Sequence, residues 1–162
     1  SGHLVIKMVQ YLYPDSDVYV FARSPKEREF ALILGAVWSG DTDEQSPELL
    51  HTIIDTTPVW KPIIHALENL RPSGRLVINA IRKEDHDKGL LSNVDYVNHL
   101  WMEKEIKTVA NVSKLDIQNF LALAAEAKIL PEIQVYQFNE VNQALNELRN
   151  RKIKGAKILK II

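Results

Sequence analysis

Short apolar runs alternate with helix-like segments along most of this chain of 162 residues. The runs are rich in β-branched residues, which is typical of strands buried on both faces. They cover residues 18–21, 36–38, 52–55, 75–81, 106–111, 133–138 and 156–161. Between them, apolar residues recur at three- and four-residue spacing and predict helices. Such alternation constrains the chain to an α/β fold, with a parallel sheet and helices on both of its faces.

The composition excludes several classes of protein. The net charge of −1 gives no strong attraction to nucleic acid or to an anionic membrane. No run reaches the roughly 20 apolar residues that span a bilayer, and the N-terminal sequence has no signal pattern, so we expect a cytoplasmic protein. The chain has no cysteine, and its five histidines show no zinc-ligand spacing. We therefore expect no metal site within it.

The stretch "VYVFARSPKERE" at residues 18–29 predicts a strand that runs directly into a helix. Ser24 stands where a helix cap is expected, Pro25 suits the first helical position, and Glu27 completes a capping box. Gly35 suits the left-handed residue that ends such a helix.

Similar capping residues predict two helices in the last third of the chain. Ser113 and Asp116 begin the first helix, and Asn139 begins the second. The residues predicted to face the core are Ile117, Phe120, Leu121 and Ala124 in the first helix, and Val141, Ala144, Leu145 and Leu148 in the second.

The chain contains, in order, the segments "SGHLVIKMVQY", "VYVFARSPKEREFALILGA", "IIDTTP", "ALENLRPSGRLVINAI", "TVANVS" and "NEVNQALNELRNRKIKGAKIL". Their order and spacing resemble the cofactor-binding half of the medium-chain, zinc-type alcohol dehydrogenases. The resemblance implies a Rossmann-like, doubly wound parallel sheet with a C-terminal strand–helix–strand segment. It implies a dinucleotide-binding domain over residues 1–112, and a segment over 113–162 that packs against or returns to the catalytic domain.

In that family a glycine-rich turn joins the first strand to the first helix, and Gly2 resembles the last glycine of that turn. The first strand and the zinc-binding domain that precede this glycine in the family are not in the sequence. We therefore expect an incomplete sheet, and a chain that is inactive by itself.

The resemblance makes a prediction about the cofactor. In NAD enzymes an acidic residue about 20 positions after the glycine turn holds the adenosine ribose. Ala22 lies 20 positions after Gly2, so this acid is absent. Arg23 follows, and its guanidinium suits a 2′-phosphate, to which Ser24 and Arg28 add donors. These residues favour NADP, with NAD as the alternative.

The residues alone favour a simpler interpretation, in which Arg23 is a solvated charge and Ser24 is only a helix cap. The family resemblance moves the balance toward a phosphate contact. Both interpretations stay open at this point.

Other candidate cofactor-binding residues follow the predicted strands. Thr56 lies at the edge where ligands bind in open α/β sheets, although it also suits a turn before Pro58. The resemblance implies that Asn79, Ala80 and Ile81 contact the nicotinamide carboxamide. Asn79 is informative, because an amide inside an apolar strand needs a hydrogen-bond partner.

Four further candidates complete the predicted site. Ala110 and Asn111 end the next strand at a similar position of the sheet edge. His3 follows Gly2 and is placed near the phosphates, with packing against the sheet as the alternative. Lys154 matches a basic residue that reaches the pyrophosphate, with a solvated lysine as the alternative.

The resemblance implies an enzyme that transfers hydride between an alcohol or aldehyde and NADP(H), with zinc in the other domain and no catalytic residue in this chain. It also implies a homo-oligomer, dimer or tetramer. Two alternatives stay open: a zinc-free quinone or enone reductase of the same superfamily, and a non-catalytic nucleotide-binding module. A methyltransferase is a third possibility. It would require an acidic residue near Ala22, and the absence of that residue counts against it.

Overall fold

A computed structural model describes residues 2–150 and 155–161. The chain separates into two compact units, residues 17–117, and residues 1–16 with 118–162. The helices are α1 (Gly2–Leu12), α2 (Pro25–Ile33), α3 (Lys61–Asn69), α4 (Lys114–Glu126) and α5 (Val141–Arg149). The strands are β1 (Tyr19–Phe21), β2 (Trp38–Gly40), β3 (Leu50–Asp55), β4 (Leu70–Ile78), β5 (Glu105–Thr108), β6 (Ile133–Gln137) and β7 (Ala156–Lys160). In the described part of the chain, no helix is long and apolar enough to cross a membrane.

All strand pairs of the larger unit are parallel. β1 pairs with β2, and β4 lies between β3 and β5. The last residues of neighbouring strands are in register, with Phe21 opposite Gly40 and Asp55 opposite Ile78. Within each of these sheets the carboxyl ends therefore meet at one edge, as the alternating pattern predicts. The α/β fold with parallel strands is confirmed.

The core of the larger unit lies between α3 and the sheet of β3 and β4. Ile63 and Leu67, four positions apart on α3, pack with Leu70 and Leu76, and these side chains are almost fully buried. Leu76 opposes Ile53 of β3 in the parallel ladder. This helix–sheet contact holds the carboxyl ends of both strands in place.

The observed strands differ from the predicted ones in their bounds, most clearly in three cases. The predicted run at 36–38 is shifted to Trp38–Gly40, because Gly35 has a φ of 97° and Ala36 still donates to the Ala31 carbonyl that closes α2. The runs predicted at 75–81 and 106–111 end at Ile78 and Thr108, where the continuous pairing of β4 with β5 stops. The role of Gly35 is confirmed.

The helix caps are partly as predicted. The Ser113 amide and hydroxyl both donate to Asp116 Oδ2, over 2.8 and 2.7 Å, and this capping box is confirmed. The cap at Asn139 is wrong, because that residue lies inside a short 3-10 turn, Phe138–Glu140, that precedes α5. Here the Gln137 amide donates to the Glu140 carboxylate over 2.7 Å.

The predicted inner faces of α4 and α5 are confirmed only in part, because four of the eight predicted residues are exposed. Ile117 and Leu121 are 50% and 61% exposed, and Leu145 and Leu148 are also exposed. Ala144 is the member of the predicted faces that is buried. Periodicity identifies the apolar side of a helix, but burial also requires another element to pack on it.

The smaller unit contains a parallel pair, β6 and β7, with α5 between them in sequence. Glu147 of α5 accepts hydrogen bonds from Lys157 Nζ over 2.6 Å and from the Tyr136 hydroxyl over 2.5 Å. Gln143 donates to the other carboxylate oxygen over 3.1 Å. The Lys157 ammonium, with the Tyr136 hydroxyl and the Gln143 amide, lowers the pKa of Glu147 from 4.5 to about 2.

We expect this carboxylate to make stability depend on pH. Because the folded pKa lies below the unfolded one, the contribution of Glu147 is complete above about pH 4.5 and is lost as the pH falls toward about 2. The Glu147→Gln variant should show a weaker decline of the unfolding midpoint across this range. Thermal unfolding at a series of pH values measures it, and parallel pH profiles for both proteins would contradict the expectation.

Lys128, just after α4, has a left-handed φ of 50°, which disfavours residues with a Cβ. We expect Lys128→Gly to raise the free energy of unfolding by about 0.5–1 kcal/mol. Gln118→Gly inside α4 serves as control and should lower it by about 1 kcal/mol. Urea unfolding of both variants measures the difference, and a loss of stability in both would refute this explanation of Lys128.

Candidate functional site

The residues after β1 form the first part of the candidate site. The Ala22 amide donates to the Gly40 carbonyl over 2.9 Å, which extends the pairing of β1 with β2 by one residue. Arg23 follows and is exposed. Among the described residues its guanidinium has no hydrogen bond or ion pair. The strand end therefore carries a small apolar side chain followed by an uncompensated cation.

Ser24 does not cap α2 with its side chain. Its backbone is extended, as at a helix cap, and its carbonyl accepts from the Arg28 amide over 3.0 Å, but its hydroxyl makes no capping hydrogen bond. The capping box predicted with Glu27 is therefore wrong. The hydroxyl is left as a donor beside the amides of the first helical turn, which lack partners within the helix.

Arg28 is held against the ends of β1 and β2. Its Nη1 lies 2.7 Å from Asp41 Oδ2 and donates to the Ala22 carbonyl over 2.9 Å, with a longer contact of 3.4 Å to the Arg23 carbonyl. Sequence reasoning placed Arg28 as an additional phosphate donor. In the structure its guanidinium connects the ends of β1 and β2. The neighbouring Asp41 carboxylate balances its charge.

Asp41 was not singled out from the sequence. It follows β2 directly, and its Oδ1 accepts from the Thr42 amide over 2.6 Å. The hydrogen bond from Arg28, and then the one from the Thr42 amide, lower the pKa of Asp41 below its usual value. The available signal was an acid three positions after the apolar run at 36–38, but the acidic loop around it made this position look ordinary.

A buried ion pair lies at the end of β3. The Asp55 side chain is 4% exposed and the Lys83 side chain 10%, and Asp55 Oδ2 lies 2.5 Å from Lys83 Nζ. The Thr57 hydroxyl donates to Asp55 over 2.7 Å. Thr56 is exposed, and the side-chain contact that shapes this turn belongs to Thr57. Neither Asp55 nor Lys83 was a sequence candidate.

Lys83 connects the segment after β4 to the end of β3 and to the turn that follows it. Its ammonium also donates to the carbonyls of Thr57 and Val59, over 2.9 and 3.0 Å. Further along this segment, Asp87 accepts from the amides of Trp60 and Lys61, over 2.7 and 2.9 Å, at the start of α3. The lysine and the aspartate together tie the connection between β4 and β5 to the sheet edge.

Asn79 lies just beyond β4, not inside it. Its amide donates to the Asp55 carbonyl over 2.8 Å, and its side chain is exposed. The argument that a buried amide needs a partner is therefore wrong at this position. Ala80 is half-buried, and Ile81 is fully exposed at the same edge.

Ala110 and Asn111 follow β5 and are exposed, and Asn111 has a left-handed φ of 59°.

Gly2 and His3 begin α1 in the other unit, where burial and then the nearby positive charges lower the pKa of His3. Lys154 lies outside the described residues. Across the described ranges, no group of three His, Asp or Glu side chains is placed to hold a metal ion.

The parallel strands, with helices between them and polar residues at their ends, define an α/β protein of the Rossmann class. Solved structures share this fold. The cinnamyl alcohol dehydrogenase SbCAD4 of Sorghum bicolor has a TM-score of 0.78 and 23% identity, over 98% of this chain and 44% of that one. A CAD from Helicobacter pylori, complexed with NADP(H), has a TM-score of 0.74 and 18% identity over the same shares of the two chains. The matched region is the Rossmann portion of medium-chain dehydrogenases.

No protein-family model matches the chain. The probable alcohol dehydrogenase AdhA of Mycobacterium tuberculosis (strain CDC 1551 / Oshkosh) is 29% identical over 161 residues, which are 99% of this chain and 44% of that protein. This chain is a relative of the medium-chain alcohol dehydrogenases. It spans less than half of the length of that curated relative.

Proposed function

We propose that this chain is the NADP(H)-binding part of an oxidoreductase that transfers hydride between an alcohol or aldehyde and the nicotinamide. The observation that carries the proposal is the end of β1, where Ala22 replaces the expected acid and the Arg23 guanidinium has no partner among the described residues. A solved structure of the same fold, from Helicobacter pylori, contains NADP(H).

The residues after β1 fit a 2′-phosphate in charge and in donor chemistry. A guanidinium binds phosphate oxygens with two parallel, charge-assisted hydrogen bonds, and within the described ranges nothing occupies this group of Arg23. The Ser24 hydroxyl is not used as a cap, and the start of α2 presents amides and the positive end of the helix dipole. Ala22 adds no carboxylate that would repel the phosphate.

The chain's own part in the reaction is to bind and orient the cofactor. The nicotinamide supplies the hydride chemistry, and a zinc ion in another domain, as in the zinc-type enzymes, would polarise the substrate oxygen. We place the nicotinamide end near Asn79, Ala80 and Ile81, and near the end of β5. A dinucleotide-binding domain over residues 1–112, with 113–162 returning to the catalytic domain, and a homo-oligomeric enzyme are parts of the same proposal.

The remaining candidate positions are assigned to the cofactor as follows. We assign Thr56 to the cofactor as a residue of the sheet edge after β3. We assign Ala110 and Asn111 to the nicotinamide and, by family resemblance, Gly2, His3 and Lys154 to the pyrophosphate.

The test compares adenosine 2′,5′-bisphosphate with adenosine 5′-monophosphate, which differ only in the 2′-phosphate. These ligands require only the adenosine end of the site, so their titration by calorimetry does not depend on how the pyrophosphate is held. We expect the bisphosphate to bind about tenfold or more tightly. Equal affinities for the two ligands would contradict the NADP assignment. A preference for NADH over NADPH in a parallel titration would favour NAD as the cofactor.

A further inference from the structure

We propose that Asp41 is a positioning residue that limits the preference for a 2′-phosphate by neutralising Arg28. This inference rests on the proposed NADP(H) function and adds a regulator of its selectivity. Asp41 ends the strand next to β1, and its carboxylate is 2.7 Å from Arg28 Nη1.

Both carboxylate oxygens of Asp41 are engaged, which fixes the side chain. Oδ1 accepts from the Thr42 amide over 2.6 Å and from the Thr42 hydroxyl over 3.3 Å. Oδ2 accepts from Arg28, which also donates to the Ala22 carbonyl over 2.9 Å. The guanidinium is therefore held directly at the end of β1, beside the residues that we assign to the 2′-phosphate.

The charges at this strand end do not contribute equally to phosphate binding. Arg28 has its charge balanced by Asp41, whereas Arg23 has no ion pair among the residues described. The Arg28 contacts use Nη1 alone, so the Nε and Nη2 hydrogens have no acceptor in the described part of the chain. Arg28 is a second cation at the site whose attraction for an anion is largely cancelled by its partner.

Removing the Asp41 charge should therefore raise the preference for the 2′-phosphate, and removing the Arg28 charge should lower it. With Asp41→Asn, the single amide oxygen can replace only one of the two carboxylate oxygens that accept from Arg28 and from Thr42, and the Arg28 charge becomes uncompensated. We expect the bisphosphate-to-monophosphate affinity ratio to rise about three- to tenfold. With Arg28→Gln, the uncompensated Asp41 should lower the ratio by a similar factor, and the double variant should return to within about twofold of the parent chain.

The experiment measures both adenosine ligands by calorimetry at low and at physiological ionic strength. The gain in Asp41→Asn should shrink as salt is added, because the interaction is between partly exposed charges. Asp43→Asn is the matched control, since Asp43 lies in the same loop and pairs with Lys61 at an exposed position. We expect this control to leave the affinity ratio within about twofold.

A purely structural role predicts different results. If Asp41→Asn and Arg28→Gln both weaken the two ligands equally, or if Asp41→Asn lowers the ratio, the proposal is overturned. Thermal unfolding of each variant shows whether a loss of binding follows from a loss of folding. If the parent chain discriminates through Arg23 but Asp41→Asn changes nothing, this inference alone fails, whereas absence of any 2′-phosphate preference removes the proposed function and this inference together.

Discussion

Replacing Arg23 with alanine is expected to lower the affinity for adenosine 2′,5′-bisphosphate about 10- to 100-fold, with 5′-monophosphate binding within about twofold of the parent value. The reason is that Arg23 is the cation at the end of β1 with no ion-pair partner among the described residues. Its loss would remove the forked hydrogen bonds that we propose it donates to the 2′-phosphate. Calorimetric titration of both ligands measures the effect.

Arg149→Ala is the matched control, because Arg149 is also exposed and makes no side-chain hydrogen bond in the described structure. It should leave both affinities unchanged within about twofold. Arg23→Lys keeps the charge but not the planar fork, so we expect it to recover part of the preference. Equal losses for both ligands in Arg23→Ala would show that Arg23 does not distinguish the phosphate.

Lys83→Met is expected to lower the free energy of unfolding of the larger unit by about 3–5 kcal/mol. The substitution leaves the Asp55 carboxylate, which is 4% exposed, without its cation. It also removes the donor to the carbonyls of Thr57 and Val59. A buried charge that loses its partner keeps the cost of its desolvation, and methionine supplies no hydrogen bond in return.

Urea unfolding followed by circular dichroism measures this loss. Lys61→Met is the matched control, since Lys61 pairs with Asp43 over 2.7 Å but both side chains are nearly half exposed. We expect little change in stability for this control, because the pair is screened by solvent. The double change Asp55→Asn with Lys83→Met should recover part of the stability, and similar small losses for Lys83→Met and Lys61→Met would contradict a buried ion pair.

Much of the fold could be predicted because its signals are local. The β-branched runs and the helical spacing between them are sufficient for a parallel α/β fold, and Ser113 with Asp116 forms the predicted capping box. The strand bounds were less certain, because a strand ends where its partner's hydrogen bonds end. β4 stops at Ile78 for this reason, and Asn79 leaves the strand with it.

The sequence by itself determined which side chains stand at the end of β1: an alanine where an acid is expected, followed by an arginine. Only the tertiary structure decided which charges are neutralised. Arg28 meets Asp41 across 13 positions, and Lys83 meets Asp55 across 28. These pairs depend on which strand and connecting segment lie beside each other, and no local pattern of propensity or spacing encodes that arrangement. Arg23 and Arg28 look equivalent in the sequence, but in the described part of the chain Arg28 pairs with Asp41 and Arg23 has no partner.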